Sequence, residues 1–225
     1  MSFDVVSSWL SLNGDLLLTA TWETVYMVAV AGIVGFVFGI PLGVILHTSK
    51  KGGLLENPRL NKVLGAIVNI GRSVPFLVLM VAIIPVTKII VGTFIGTTAA
   101  IVPLTIGAIP FVARLIEGAL LEVPSGLVEA AQSMGATPMQ IISKVLLPEA
   151  MPTIINSITI TLVTLVSYSA MAGTVGGGGL GDVAIRYGFH RYDISVMTVT
   201  VVMLIVLVQI IQSVGDNLVR RVDHR

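Results

Sequence analysis

EVPSGLVEAAQSMGATPMQIISKVLLPEAM, residues 122–151, is a polar, turn-bearing island between two long apolar runs, and its reading decides the fold. Pro124 and Ser125 suit a helix start, which puts Glu129 near the first turn, where the helix dipole favours an anion. The helix continues through Ala130, Ala131 and Met134. Gly135 permits a sharp corner, Ala136 follows, and Thr137-Pro138 have the chemistry of an N-cap and a first helical position. A second short helix then runs through Ile141, Ile142 and Val145 to Leu147-Pro148. The stretch predicts two short helices joined by a tight elbow at a membrane surface. A hairpin resting on lipid headgroups is the alternative, but such hairpins are rich in Lys and Arg. Here Lys144 stands against Glu129 and Glu149, which favours docking to protein.

Outward from this island the chain is membrane-seeking. Its 225 residues are 55% hydrophobic and 11% charged, with a mean hydropathy of +0.98. A soluble domain could not bury that apolar fraction without exposing large greasy patches. Continuous apolar runs at 22–46, 63–86, 97–121, 152–174 and 194–215 are each long enough for a hydrocarbon core of about 30 Å at about 1.5 Å per residue. They lack the period-two alternation of barrel strands. The expected fold is therefore all-α and integral to a membrane, with five transmembrane helices and the elbow between spans three and four.

Residues 1–20 carry Asp4 and Asp15 and no cationic n-region, so they read as an interfacial lead-in rather than a signal peptide. Residues 21–215 form the membrane domain and 216–225 a basic tail. Met27, Met80 and Met203 read as packing or lipid-facing residues. The chain has no cysteine, which excludes disulfides and thiolate metal sites, and His47, His190 and His224 are too scattered to suggest a metal. Nothing points to nucleic acid.

Cation bias sets the orientation. Of 13 Lys and Arg residues, Lys50, Lys51, Arg59, Lys62, Lys144, Arg220, Arg221 and Arg225 fall on one side. Lys88, Arg186 and Arg191 fall on the other, and Arg72 and Arg114 lie within expected spans. The positive-inside rule puts the N-terminus outside, and the elbow and C-terminus in the cytoplasm. Gly35, Gly39 and Gly43, with Ala31, form a groove on span one that suits close helix approach, within the chain or between subunits. Pro41, Pro75, Pro103 and Pro110 should bend their helices or free carbonyls toward neighbours. Arg114 and Glu117, three apart, should pair with each other or with the loop below. Asp182, Arg186, His190, Arg191 and Asp193 read as a solvated external loop, with contact to a delivery protein as the other reading.

Glu129-Ala130-Ala131, three residues, Gly135, nine residues, Val145, one residue, Leu147-Pro148 resembles the coupling loop of type I ABC importer permeases, with Val145 where isoleucine is commoner. Arg72-Ser73-Val74-Pro75-Phe76, residues 100–105, 134–140 and 168–171 and the glycines from 176 to 181 are similar to one branch, the permease subunits of bacterial methionine importers. The likeness runs from about Trp22 to the C-terminus. It implies a homodimer in a bacterial inner membrane, paired with two ATP-binding subunits and fed by a periplasmic or lipid-anchored methionine-binding protein. The elbow would sit in a cleft of the ATPase and turn its closure into rocking of the spans. ATP and magnesium belong to that partner; no catalytic site is expected in this chain.

Within this frame the run from Gly173 to Gly181 lets the end of span four unwind near a symmetry mate. A phosphate loop would need a preceding strand and a closing Gly-Lys-Ser/Thr, and Leu180-Gly181-Asp182 follows instead. The translocation route or its gate is expected at Tyr168, Ser169, Met171 and Gly173, with Arg72 and Pro75 on span two. For Met171 the choice is between a flexible apolar plug and helix packing. Arg72, costly inside a membrane unless paired, could snorkel, bond freed carbonyls or meet a substrate carboxylate. A permease for another amino acid or small polar solute is the alternative substrate reading. An ion-coupled secondary transporter would be expected to carry acids deep in its spans, and the expected spans show none. A membrane enzyme would need a Ser/His pair or a metal cluster within them.

Overall fold

The computed structural model describes the backbone from Phe3 to Val222, and the side chains from Gly14 to Val222. Helix α1 (Phe3–Thr48) passes unbroken through Trp22, so the expected start of span one is not a helix boundary. Its stretch Gly14–Thr48 is long and apolar enough to cross a membrane, and Pro41 lies inside it without ending it. With the span reckoned from Gly14, Glu23 stands nine residues in, where the expected run 22–46 had it at its outer edge.

The largest correction concerns the second span. The run 63–86 is not one rod: α2 (Pro58–Ser73) and α3 (Phe76–Ala82) meet at a 100° bend. Asn57 Oδ1 starts α2 by accepting from the Leu60 N–H at 3.1 Å, with Pro58 next. The stop is equally local. Pro75 has no N–H to donate, and its ring forces the residue before it out of the helical region. Val74 accordingly sits at φ −82°, ψ 122°. Helix α4 (Ile84–Val91) follows and closes on left-handed Gly92.

Helix α5 (Thr97–Leu121) matches its expected run at both ends and continues through Pro103 and Pro110. The elbow contributes α6 (Ser125–Ser133), α7 (Pro138–Ile141), a π-helical turn (Ile142–Leu146) and α8 (Leu147–Glu149). Helix α9 (Met151–Ala172) leads through a 3₁₀ turn (Gly173–Val175) to α10 (Gly179–Val183), then a π-helical turn (Ala184–Phe189) and α11 (Ile194–Val222). Thus α11 extends past the expected end at 215 and takes in Arg220 and Arg221. Among the described residues four helices are long and apolar enough to cross a membrane, or five where the bent pair α2–α3 counts as one span.

The chain divides into two compact units. The first holds the residues to Ile33, Pro75–Gly107 and Leu162–Gln212. Its core joins Leu17 and Ala20 of α1 to Leu180, Val183, Val196 and Val199, with Met203 packed against it. Met27 and Met80 are also buried, so all three of these methionines pack within the protein. The glycine run makes its close approaches inside the chain. A Cβ on Gly173 would come within 2.3 Å of the Asp182 nitrogen, and one on Gly181 within 2.4 Å of Ala170 Cα. The expected solvated loop begins with a buried residue: Asp182 is 9% exposed and accepts a hydrogen bond from Arg186. That bond, from the π-helical turn back to α10, holds the Arg186 pKa above the ordinary arginine value.

The second unit holds Val34–Val74, Ala108–Thr161 and the residues from Ser213 onward. The glycine row of α1 packs on α5 within this unit. Cβ atoms on Gly35, Gly39 and Gly43 would meet Ala108 Cβ at 2.9 Å, Val112 Cβ at 2.6 Å and the Ala113 carbonyl at 2.6 Å. The row therefore serves packing inside the chain. Leu46, Val68 and Ala113 form a small core that seats α2.

Candidate coupling elbow and pathway residues

Helix α6 ends as the sequence demands. Gly135 takes φ +80°, its N–H bonds the Gln132 carbonyl at 2.9 Å, and Ala136 N–H bonds the Ala131 carbonyl at 3.1 Å. These are the two bonds of a Schellman stop, and a left-handed residue between them is what glycine supplies without strain. Two residues on, Thr137 caps α7. Its Oγ1 accepts from Gln140 N–H while Gln140 Oε1 accepts from Thr137 N–H at 2.9 Å, a capping box, with Pro138 at the first helical position. A helix stop and a helix start are thus fused across three residues. The corner is stiff.

It is also anchored from beneath. Ala131, Ile141, Ile142 and Leu146 are buried against Val112, Ile116, Ala119 and Leu120 of α5 and Ala150 and Ile154 beyond the elbow. Ala131, a member of the loop motif, is 4% exposed and belongs to this core; its Cβ lies on the inner side of α6. Ala136 and Leu147 pack against the same core. The outer side presents Glu129, Ala130, Gly135, Thr137, Pro138 and Pro148, all exposed. Met134 at 81% and Met139 at 68% exposure project beside them. A cavity of about 330 Å³ adjoins the elbow, with Glu129, Gln132 and Ser125 on one side and Gly52 and Leu54 on the other.

An ion triad ties the neighbouring loop to α5. Glu117, whose side chain is 5% exposed, accepts from Arg114 at 2.6 Å and from Lys50 at 2.7 Å. The expected Arg114–Glu117 pair is present, and Lys50 is the addition that sequence spacing could not give. Asn61 Nδ2 donates to the Leu46 carbonyl at 2.7 Å and to Ser49 Oγ at 3.1 Å, fastening the same loop to α2.

The expected pathway residues divide between the units. In the second, Arg72 stands in the last turn of α2, exposed at the break rather than midway along a rod. In the first, Pro75 is exposed at the start of α3, and its neighbour Phe76 stacks on Tyr168 of α9 with ring centroids 4.3 Å apart and planes 1° from parallel. Met171 is 43% exposed. Ser169 is turned inward, 1% exposed, with its hydroxyl donating to the Val166 carbonyl at 2.7 Å. Gly173 is buried in the tight turn.

Sequence reading passed over Glu23 and Thr24. Glu23 Oε2 accepts from Gly179 N–H at 2.7 Å, and Thr24 Oγ1 accepts from Leu180 N–H at 2.9 Å. Two adjacent side chains of α1 thereby cap the start of α10. The available signal was a lone acid inside an apolar run. Among the described residues no group of His, Asp and Glu has the arrangement of a metal site.

The family model of the binding-protein-dependent transport system inner membrane component matches residues 39–225, and the chain belongs to that family. It is 85% identical, over the full length of both chains, to a probable D-methionine transport system permease protein MetI of Vibrio cholerae. It is 58% identical to the Escherichia coli K12 D-methionine transport system permease protein MetI over 70% of this chain and 73% of that one. Among solved structures, an inward-facing conformation of the MetNI methionine ABC transporter superposes with a TM-score of 0.92 at 51% identity, covering all of both chains.

Proposed function

We propose that this chain is the permease subunit of an ATP-driven importer of methionine, D- and L-, in a bacterial inner membrane. Two copies would form the route, each holding its elbow in the cleft of an ATP-binding subunit. A binding protein would deliver substrate from outside, and ATP with magnesium would act only in the ATPase. The observation that carries this reading is the elbow itself. It is stiffened by the Schellman stop and capping box and seated on α5 by a buried core, yet it exposes Glu129 and Met134. A rigid lever fixed at one end and free at the other transmits force; a loop resting on lipid has no need of that build. The relatives' names and the cation distribution support the substrate and the cytoplasmic placing of the elbow.

Within this reading Tyr168, Met171 and Gly173, with Ser169 packed behind them and Pro75 at the helix break, belong to the gate, and Arg72 to the route. The test is uptake of labelled methionine by proteoliposomes holding this chain, its ATPase and its binding protein. Uptake that needs ATP and all three components is expected. Uptake driven by an ion gradient without the ATPase would overturn the reading.

A further inference from the structure

We propose that the end of α2 carries a binding station for the substrate's carboxylate, built on the Arg72 guanidinium, inside a water-lined face of that helix; this rests on the permease reading. Helix α2 has three faces. At 100° per residue, Leu64, Val68 and Gly71 share the face packed on the protein, where Val68 is 1% exposed and a Cβ on Gly71 would meet the Pro110 ring at 3.0 Å. Leu60, Val63, Ile67 and Ile70 share a second face, apolar and 42–67% exposed, suited to lipid or another apolar surface. The third face carries Arg59, Lys62, Ala66, Asn69, Arg72 and Ser73, all exposed. This side spans about 140° of the helix, with half-buried Gly65 between Arg72 and Asn69, and its other members are polar apart from Ala66.

Depth makes the third face informative. Lys62 to Arg72 is ten residues, about 15 Å along a helix axis, or half of a hydrocarbon core about 30 Å thick. If Lys62 marks the interface, Arg72 is near the midplane. Its guanidinium has no ion pair or hydrogen bond among the described residues. A cation at that depth faces a bundle interior or a water-filled cavity, because lipid contact is too costly. The helix break also matters. At the end of α2 the last carbonyls lose their intrahelical partners, and a cation there is favoured by the dipole. Arg72 is therefore held at the point where the rod stops, with the Asn69 amide one turn back. Ser73 donates to the Asn69 carbonyl at 2.7 Å and leaves the Asn69 side chain free of that bond.

The chemistry of such a station is specific. A planar guanidinium pairs with a carboxylate through two parallel N–H bonds, which a lysine ammonium cannot copy. An amino acid would present its α-carboxylate to Arg72 irrespective of its side chain. The station would thus select for the carboxylate group, and side-chain selection would lie elsewhere.

The chain contains no cysteine, so single cysteines report cleanly. Ala66→Cys, Ser73→Cys and, on the apolar face, Ile70→Cys are introduced one at a time into the complex with the ATPase. Each is treated with two small methanethiosulfonates, one ending in sulfonate and one in trimethylammonium. The expected result is labelling at Ala66→Cys and Ser73→Cys but not Ile70→Cys, with the sulfonate faster by about fivefold or more beside Arg72. Added methionine should slow labelling at Ser73→Cys. Arg72→Gln should abolish both the preference and the protection, while Arg72→Lys should keep the preference and lose most of the protection. No labelling at either polar-face position overturns the water-lined face. Labelling without charge preference or methionine protection overturns the carboxylate station, and if ATP-driven uptake by the parent chain persists, the permease reading stands.

Discussion

Glu117 has a side chain 5% exposed and two cations against it, Lys50 and Arg114, which are themselves 35% and 45% exposed. The carboxylate is the expensive member of this triad, because burial costs the charged form unless it is compensated. Either cation alone still leaves it a partner. Lys50→Met or Arg114→Met should therefore each cost about 1 kcal/mol or less, as half-exposed pairs do. The double variant should cost more than the sum, about 3 kcal/mol, because it strands the buried charge. Thermal midpoints of the purified complex in detergent measure this, and additive losses would contradict it. Glu23 gives a different prediction. Its carboxylate serves as an acceptor for the Gly179 N–H, so Glu23→Gln, which keeps an acceptor oxygen, should be tolerated. Glu23→Ala should lower stability by about 1–3 kcal/mol through a backbone donor left without a partner. Equal loss in both variants would mean that charge, not hydrogen bonding, matters there.

At the scale of elements, glycine acts in two opposite ways. A Cβ on Gly39 would meet Val112 Cγ1 at 2.7 Å, whereas one on Gly118 meets nothing within 4 Å. Gly39→Val should cost about 1–3 kcal/mol by overpacking, while Gly118→Ala should be neutral or stabilise by roughly 0.5–1 kcal/mol through helix propensity. A comparable fall in midpoint for both would argue against helix contact as the role of the row. The elbow was legible residue by residue: Pro124-Ser125, Gly135 and Thr137-Pro138 are local signals, and each sits where its backbone chemistry requires. The α2–α3 bend was half legible. Pro75 announced a disturbance, but the direction of a chain after a helix stops depends on what it packs against, and Phe76 finds its stacking partner more than ninety residues away at Tyr168. Glu23 was missed for the same reason, since its partner is 156 residues distant. The inward turn of Ala131 escaped because an alanine pair does not announce which member faces the core.

At the scale of the whole molecule, the account requires the elbow and the loop after α1 to share the cytoplasmic side, with Lys88 opposite. Lys51→Cys should react with a membrane-impermeant maleimide only after cell lysis, and Lys88→Cys before it; the reverse pattern would invert the topology. The central claim is that the elbow passes an ATPase's cycle to the membrane helices, and ATP-coupled uptake by elbow variants tests it most directly. Gly135→Pro breaks a corner that needs φ +80°, which proline cannot adopt, and Glu129→Arg reverses the exposed charge. With insertion and expression equal to the parent, both variants should lose methionine uptake. Normal uptake in both would contradict the account.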